Sequence, residues 1–245
     1  MSRTVLNGMV VDSFDVDKSP SNGVVVFLNG FPGAIGPLPA VLSGLGNGYT
    51  VIAPQYPGTY DSSGEHTLIG TATALVELFD WIADQKMDSS TDGIRVIAHS
   101  FGAFHLLNAM RKKHQKHISK ILLLAPILNY ATEPDAGIRE ELLPHLKDVI
   151  ESRPHTYRVG AMNEWEMAAR GEPLFDLAAN WSGKVFIGFG TEDDTFDPEV
   201  FERNSAATIE RLIGCRNTVV QSVAGAGHGM HEIIPYLAIL DEFYA

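Results

Sequence analysis

Short runs of β-branched and large apolar residues recur along this 245-residue chain, with helical patterns between most of them, and that alternation permits few architectures. The runs are Val24 to Leu28, Val51 to Ala53, Ile94 to Ala98, Ile121 to Leu124, Lys184 to Phe189 and Thr218 to Val223. Among the intervening stretches, Leu68, Ala72, Leu75, Phe79 and Ile82 recur at spacings of four and three, and Glu199 to Ile213 and Glu232 to Phe243 carry similar faces. Ahead of them Val5-Leu6 and Met9-Val10-Val11 flank Asn7-Gly8, a pair that tolerates the positive φ of a two-residue hairpin. The pattern predicts an α/β fold with a mostly parallel central sheet of about eight strands, helices on both faces, and ligands bound at the carboxyl ends of the strands.

One segment breaks the alternation. From Ile127 to about Ser182 no strand candidate occurs; instead Ile138, Leu142, Leu146 and Val149 form one helical face, and a second helix fits Val159 to Arg170. Residues 127–182 therefore read as a helical cap inserted after the sixth strand of a single domain spanning residues 1–245. Tyr130, Tyr157, Met162, Trp165, Met167 and Trp181 in that segment either line a pocket or pack the cap on the body. The net charge of −12 argues against nucleic acid or an anionic membrane as partner, because neutralising phosphate takes clustered Lys and Arg. The one basic cluster, Arg111 to His117, lies where a helix should end and suits cations solvating its C-terminus. With no secretory pattern and no membrane-spanning run, the expected location is cytoplasmic, and a lone Cys215 excludes an intrachain disulfide and reads as a buried or half-buried thiol.

The chemistry concentrates at three strand ends. Ala98-His99-Ser100-Phe101-Gly102 places a serine on a sharp turn from strand to helix, where small residues at 98 and 102 let the backbone pass and the hydroxyl stand clear of the sheet. A serine hydroxyl needs a base to take its proton and an acid to orient that base. Gly190-Thr191-Glu192-Asp193-Asp194 and Gly225-Ala226-Gly227-His228-Gly229 follow the next strands but one and two, so Ser100, Asp193 and His228 fall on the same sheet edge in that chain order. Asn29-Gly30-Phe31-Pro32-Gly33 follows Val24 to Leu28, where the backbone N–H of Phe31 would join that of Phe101 in holding a developing oxyanion.

These motifs, together with Tyr56-Pro57-Gly58-Thr59-Tyr60-Asp61-Ser62-Ser63-Gly64-Glu65 after the fourth strand, resemble the α/β-hydrolase superfamily over nearly the whole chain outside the cap; the resemblance extends to esterases and single-domain prolyl-oligopeptidase-like hydrolases. It implies the α/β-hydrolase fold, with Ser100 as nucleophile, His228 as general base and acid, and Asp193 as the orienting carboxylate. The sequence departs from the family pattern in three places. Ala98 replaces the commoner glycine, Asn29 replaces a frequent histidine before Gly30, and the acid is Asp193 counted from the glycine but Asp194 counted back from Pro198, with Asp193 preferred.

The expected activity is a serine hydrolase that cleaves a small to medium carboxylic ester through an acyl-enzyme, with no cofactor. Peptidase, amidase, thioesterase and acyltransferase action use the same groups, and a non-catalytic ligand-binding protein on this fold is the competing class. His231 is a rival for the base but opens the last helix, where an exposed position suits it; the pairs His228 with His231 and His114 with His117 have no third ligand, so no metal site is expected.

Overall fold

A computed structural model of the chain describes residues 2–15, 23–31, 48–86, 93–128, 144, 148, 151–153, 156–169 and 172–245. Its core is an eight-stranded sheet: β1 (Ser2–Leu6), β2 (Met9–Asp15), β3 (Val24–Leu28), β4 (Thr50–Pro54), β5 (Ile94–His99), β6 (Ile118–Leu124), β7 (Lys184–Gly190) and β8 (Thr218–Val223). The strands lie in the order β1-β2-β4-β3-β5-β6-β7-β8; β1 and β2 run antiparallel to their neighbours, and β4 through β8 are parallel. The opening hairpin turns on Asn7 (φ 48°) and Gly8 (φ 85°), the left-handed pair its sequence suggested.

Burial explains why the central strands read as unbroken apolar runs. In β3, Val24, Val26 and Leu28 face one core and Val25 and Phe27 the other, and all five are buried. The first core takes α1 (Leu68–Lys86), α2 (Phe101–Lys112) and α4 (Pro198–Ile213) through residues such as Phe79, Leu106 and Phe201. The second takes the C-terminal region through Ile233, Leu237 and Phe243. Trp181 packs in the first core, with its Nε1–H directed to the Ile118 carbonyl at 3.3 Å, and so belongs to the body and not to any pocket wall. Cys215 is buried in the same core and its thiol is pushed up by that burial.

Several details differ from the sequence reading. The last helical stretch is not continuous: α5 (Met230–Ile233), a 3-10 turn (Ile234–Tyr236) and α6 (Ile239–Tyr244) replace it, because Pro235 has no N–H to continue the ladder. In the 127–182 segment, the face built on Ile138 to Val149 lies outside the described residues, and the second helix is the shorter α3 (Met162–Ala169). It starts late because Tyr157 and Val159 are engaged in isolated bridges to Thr59 and His66. Arg111 is not simply a solvated cation either. Its guanidinium donates to the carbonyls of Phe175 and Leu212 at 2.9 Å each, tying the end of α2 to the end of α4.

Arg95 is the most unusual core residue. It lies on β5 with 1% of its surface exposed, its Nε–H donates to the Phe243 carbonyl at 3.0 Å, and its guanidinium stands 4.7 Å from the centre of the Tyr49 ring. Among the described residues, no helix is long and apolar enough to cross a membrane.

Candidate active site

The turn after β5 holds Ser100 at φ 51°, ψ −121°, a conformation a side-chain-bearing residue adopts only under constraint. Three features impose it. The Ser100 N–H donates to the Leu124 carbonyl at the end of β6 (2.9 Å), and the Ser100 carbonyl accepts from both Ala103 and Ile127 at 3.1 Å. Gly102 passes so close to β3 that a Cβ there would stand 2.3 Å from the Leu28 carbonyl oxygen, which explains why the second small position must be glycine. Ala98 is fully buried, so its methyl is accommodated at the first.

β3 pairs with β5 as far as Leu28 opposite Ala98, and this register carries the Asn29-Gly30-Phe31 loop alongside the serine. The loop is braced locally: the Asn29 side-chain carbonyl accepts the Gly30 N–H at 3.0 Å, and the Tyr56 hydroxyl donates to the Asn29 backbone carbonyl at 2.8 Å. Phe31 and Phe101 lie next to each other in space, with ring centres 6.2 Å apart.

The other two groups arrive on neighbouring strands. β7 and β8 pair to Gly190 opposite Val223, and the loops that follow are laced together by Thr191 N–H to the Val223 carbonyl (3.0 Å) and Glu192 N–H to the Ala226 carbonyl (2.9 Å). Gly190 makes that approach possible: a Cβ there would lie 2.0 Å from the Ala226 oxygen. In consequence His228 Nε2 stands 2.8 Å from Ser100 Oγ, and His228 Nδ1 stands 2.7 Å from Asp193 Oδ2. Asp194 is exposed, whereas the Asp193 side chain is fully buried and His228 is partly open to solvent. Burial opposes the charge on Asp193, but the hydrogen bond and charge of His228 and two contacts from Thr195 outweigh it and hold the carboxyl below its ordinary range. His231 is exposed on α5, as its sequence position suggested.

Motif reasoning passed over several residues here. His99, between the strand end and the serine, lies 3.0 Å through Nε2 from the His228 carbonyl; burial holds its ring neutral, with a pKa lowered to about 4. Thr195 sits two residues after Asp193 and contacts both members of the pair. Behind Phe31 and Phe101 lies a cluster of buried rings, with Phe31 stacked on His66 at 5.5 Å and Phe101 on Trp165 at 5.6 Å. His105 packs edge-on to Phe101 at 4.7 Å, and both buried histidines are pushed down by loss of water, His66 to about 4. The single hint in the sequence is that His105 stands one helical turn after Phe101, on the same face. Among the described residues, no group of three or more His, Cys, Asp or Glu side chains is disposed to hold a metal ion.

Comparison with known proteins agrees with this fold. A family model described as "Alpha/beta hydrolase family" matches residues 25–232. No curated protein sequence matches. Similar solved structures include a hyperthermophilic esterase from the archaeon Pyrobaculum calidifontis, 17% identical over 99% of this chain and 80% of the other, with a TM-score of 0.65. Alpha/beta hydrolase domain-containing protein 10 from mouse is 14% identical, covering 99% and 98% of the two chains, with a TM-score of 0.64. An epoxide hydrolase from Bacillus megaterium is 16% identical, covering 96% and 95%, with a TM-score of 0.62. Sheet order, strand-end placement of the polar groups and a family match spanning most of the sequence lead to one assignment: the chain belongs to the alpha/beta hydrolase family.

Proposed function

We propose that this protein is a serine hydrolase that cleaves a small to medium carboxylic ester through an acyl-enzyme. The observation that carries the reading is the pair of contacts at His228, 2.8 Å to Ser100 Oγ and 2.7 Å to Asp193 Oδ2, which is the geometry a nucleophile, base and orienting acid require. With Nδ1–H donated to the Asp193 carboxylate, the imidazole presents a lone pair at Nε2 to the serine hydroxyl. As Oγ attacks the ester carbonyl, its proton passes to Nε2 and the oxygen charge that develops is held by the N–H groups of Phe31 and Phe101. The imidazolium then returns the proton to the departing alcohol, leaving the acyl group on Ser100. Water deprotonated by the same ring releases the acid by the reverse sequence. Asp193 stays ionised throughout.

We read residues 127–182 as a cap on a single domain that shapes the substrate pocket; Tyr157 and Trp165 of that segment pack against Phe31, with ring centres 4.9 and 6.1 Å away. Thioesters, amides and transfer to an acceptor other than water use the same groups. A location in the cytoplasm and a small-molecule acyl substrate without nucleic acid belong to the same reading.

A fluorophosphonate probe tests it. The native protein is expected to gain one adduct mass on Ser100 and to release p-nitrophenol from short-chain esters, while Ser100→Ala folds normally and does neither. A folded native protein whose Ser100 stays unlabelled would instead be a ligand-binding member of the fold.

A further inference from the structure

Once the pair formed by His228 and Asp193 is accounted for, a third group remains in contact with both. Thr195 Oγ1 is 3.0 Å from His228 Nδ1, and the Thr195 N–H donates to Asp193 Oδ1 at 2.8 Å. From these contacts we infer that Thr195 is a positioning residue that clamps the base and its acid as one unit; the inference rests on the roles proposed above for His228 and Asp193.

The donor and acceptor count leads to a specific arrangement. With Nε2 accepting from Ser100, the single ring proton of neutral His228 is on Nδ1. That proton points first at Asp193 Oδ2, 2.7 Å away, and the Thr195 oxygen is its second, longer acceptor. Thr195 Oγ1 therefore acts as an acceptor toward the ring, which leaves its own proton free to turn to the carboxylate. The carboxylate is thus fixed at both oxygens, Oδ1 by the Thr195 backbone and Oδ2 by the ring. The imidazole meets a second oxygen that opposes rotation away from the serine. When the ring becomes cationic, the Thr195 oxygen dipole already faces the charged edge, so no reorganisation is needed.

Thr195 can hold this place because its turn is anchored on both sides. Gly190 at the end of β7 precedes it, and Phe196, the next residue, stacks on Phe201 of α4 with ring centres 4.2 Å apart. The hydroxyl contributes nothing to that anchoring, so it can be removed without moving the turn.

Thr195→Val keeps the backbone N–H and the shape and deletes only the hydroxyl. Its kcat on a p-nitrophenyl ester is expected to fall about tenfold, the effect of one ordinary hydrogen bond, with KM unchanged, and Thr195→Ser is expected to restore the rate. The deshielded Nδ1–H proton resonance of His228 is expected in the native protein and in Thr195→Ser, and should broaden or disappear in Thr195→Val; this readout needs no turnover. A Thr195→Val protein with native kcat and an unchanged resonance overturns the proposal. Equal losses in the Val and Ser variants overturn it too, since a serine that keeps the hydroxyl should keep the rate. If Ser100→Ala retains the activity, the proposed triad fails by that separate result, and the resonance arm still reports on the clamp.

Discussion

Ser100 stands at φ 51°, where a residue with a side chain typically lies about 1–3 kcal/mol above a relaxed one. The surrounding hydrogen bonds from β6 and α2 hold it there, so the strain is a fixed property of the folded turn and not of a mobile loop. The two adjacent aspartates test how finely the acid position is specified. Asp193 is buried against His228 while Asp194, the next residue, is exposed. Asp193→Asn is expected to lower kcat/KM on the order of 10⁴-fold by allowing the wrong ring tautomer, and Asp194→Asn to leave it near native. Steady-state kinetics of the two variants, side by side, decide the matter; the opposite ranking would move the acid by one residue. Sequence counting alone left these two apart by a single position, because the distance from glycine to acid depends on a turn whose shape no local pattern records.

The helix that follows the acid shows how much of the architecture a sequence can announce. α4 begins with Asp197, whose carboxylate accepts from the N–H groups of Glu199 (3.0 Å) and Val200 (3.3 Å), has Pro198 at its first position, and ends on Gly214 at φ 68°. Phe196 before the cap stacks on Phe201 in the first turn, a hydrophobic staple that sets the angle at which the chain leaves the acid turn. Asp197→Ala is expected to destabilise the protein by about 1 kcal/mol, measured as a lower urea midpoint at unchanged m-value. Elements with such strong local signals, and strands buried on both faces, were readable in advance. So was the placement of Ser100, Asp193 and His228 after strands on one sheet edge, since that follows from the alternation of strand and helix. Where a distant contact decides the outcome, sequence patterns gave less. β6 begins three residues early at Ile118, Pro235 splits the final helical stretch, and Arg111 is drawn into carbonyl contacts from two other segments. His66, His99, His105 and Thr195 escaped notice for the same reason: each matters through a partner far from it in sequence or across a turn.

Buried neutral histidines give the whole molecule a pH-dependent stability. His66 and His99 titrate at about 4 in the folded protein, and His105 well below its ordinary value, all because burial penalises the charged ring. An unfolded chain takes up these protons near pH 6.5, before the folded one does, so the stability is complete above that value and is lost as pH falls toward 4. A shift of this size is worth about 3 kcal/mol for His66 and for His99. Urea unfolding followed between about pH 7 and about pH 4.5 should therefore show a steep, continuous fall in ΔG, and His66→Phe should flatten it. A stability that stays level across that window would contradict the assignment of these rings as neutral.

The guanidinium of Arg95 reaches from the strand that bears the serine to the carbonyl of Phe243, 148 residues further along the chain. While the polypeptide is being made, that cation has no carbonyl to receive it until the segment around Phe243 has emerged, and until then β5 carries a charge it cannot bury. Closure of the sheet around Ser100 thereby waits on a stretch of chain far downstream of it, and a product cut off before Phe243 would leave that strand unfinished.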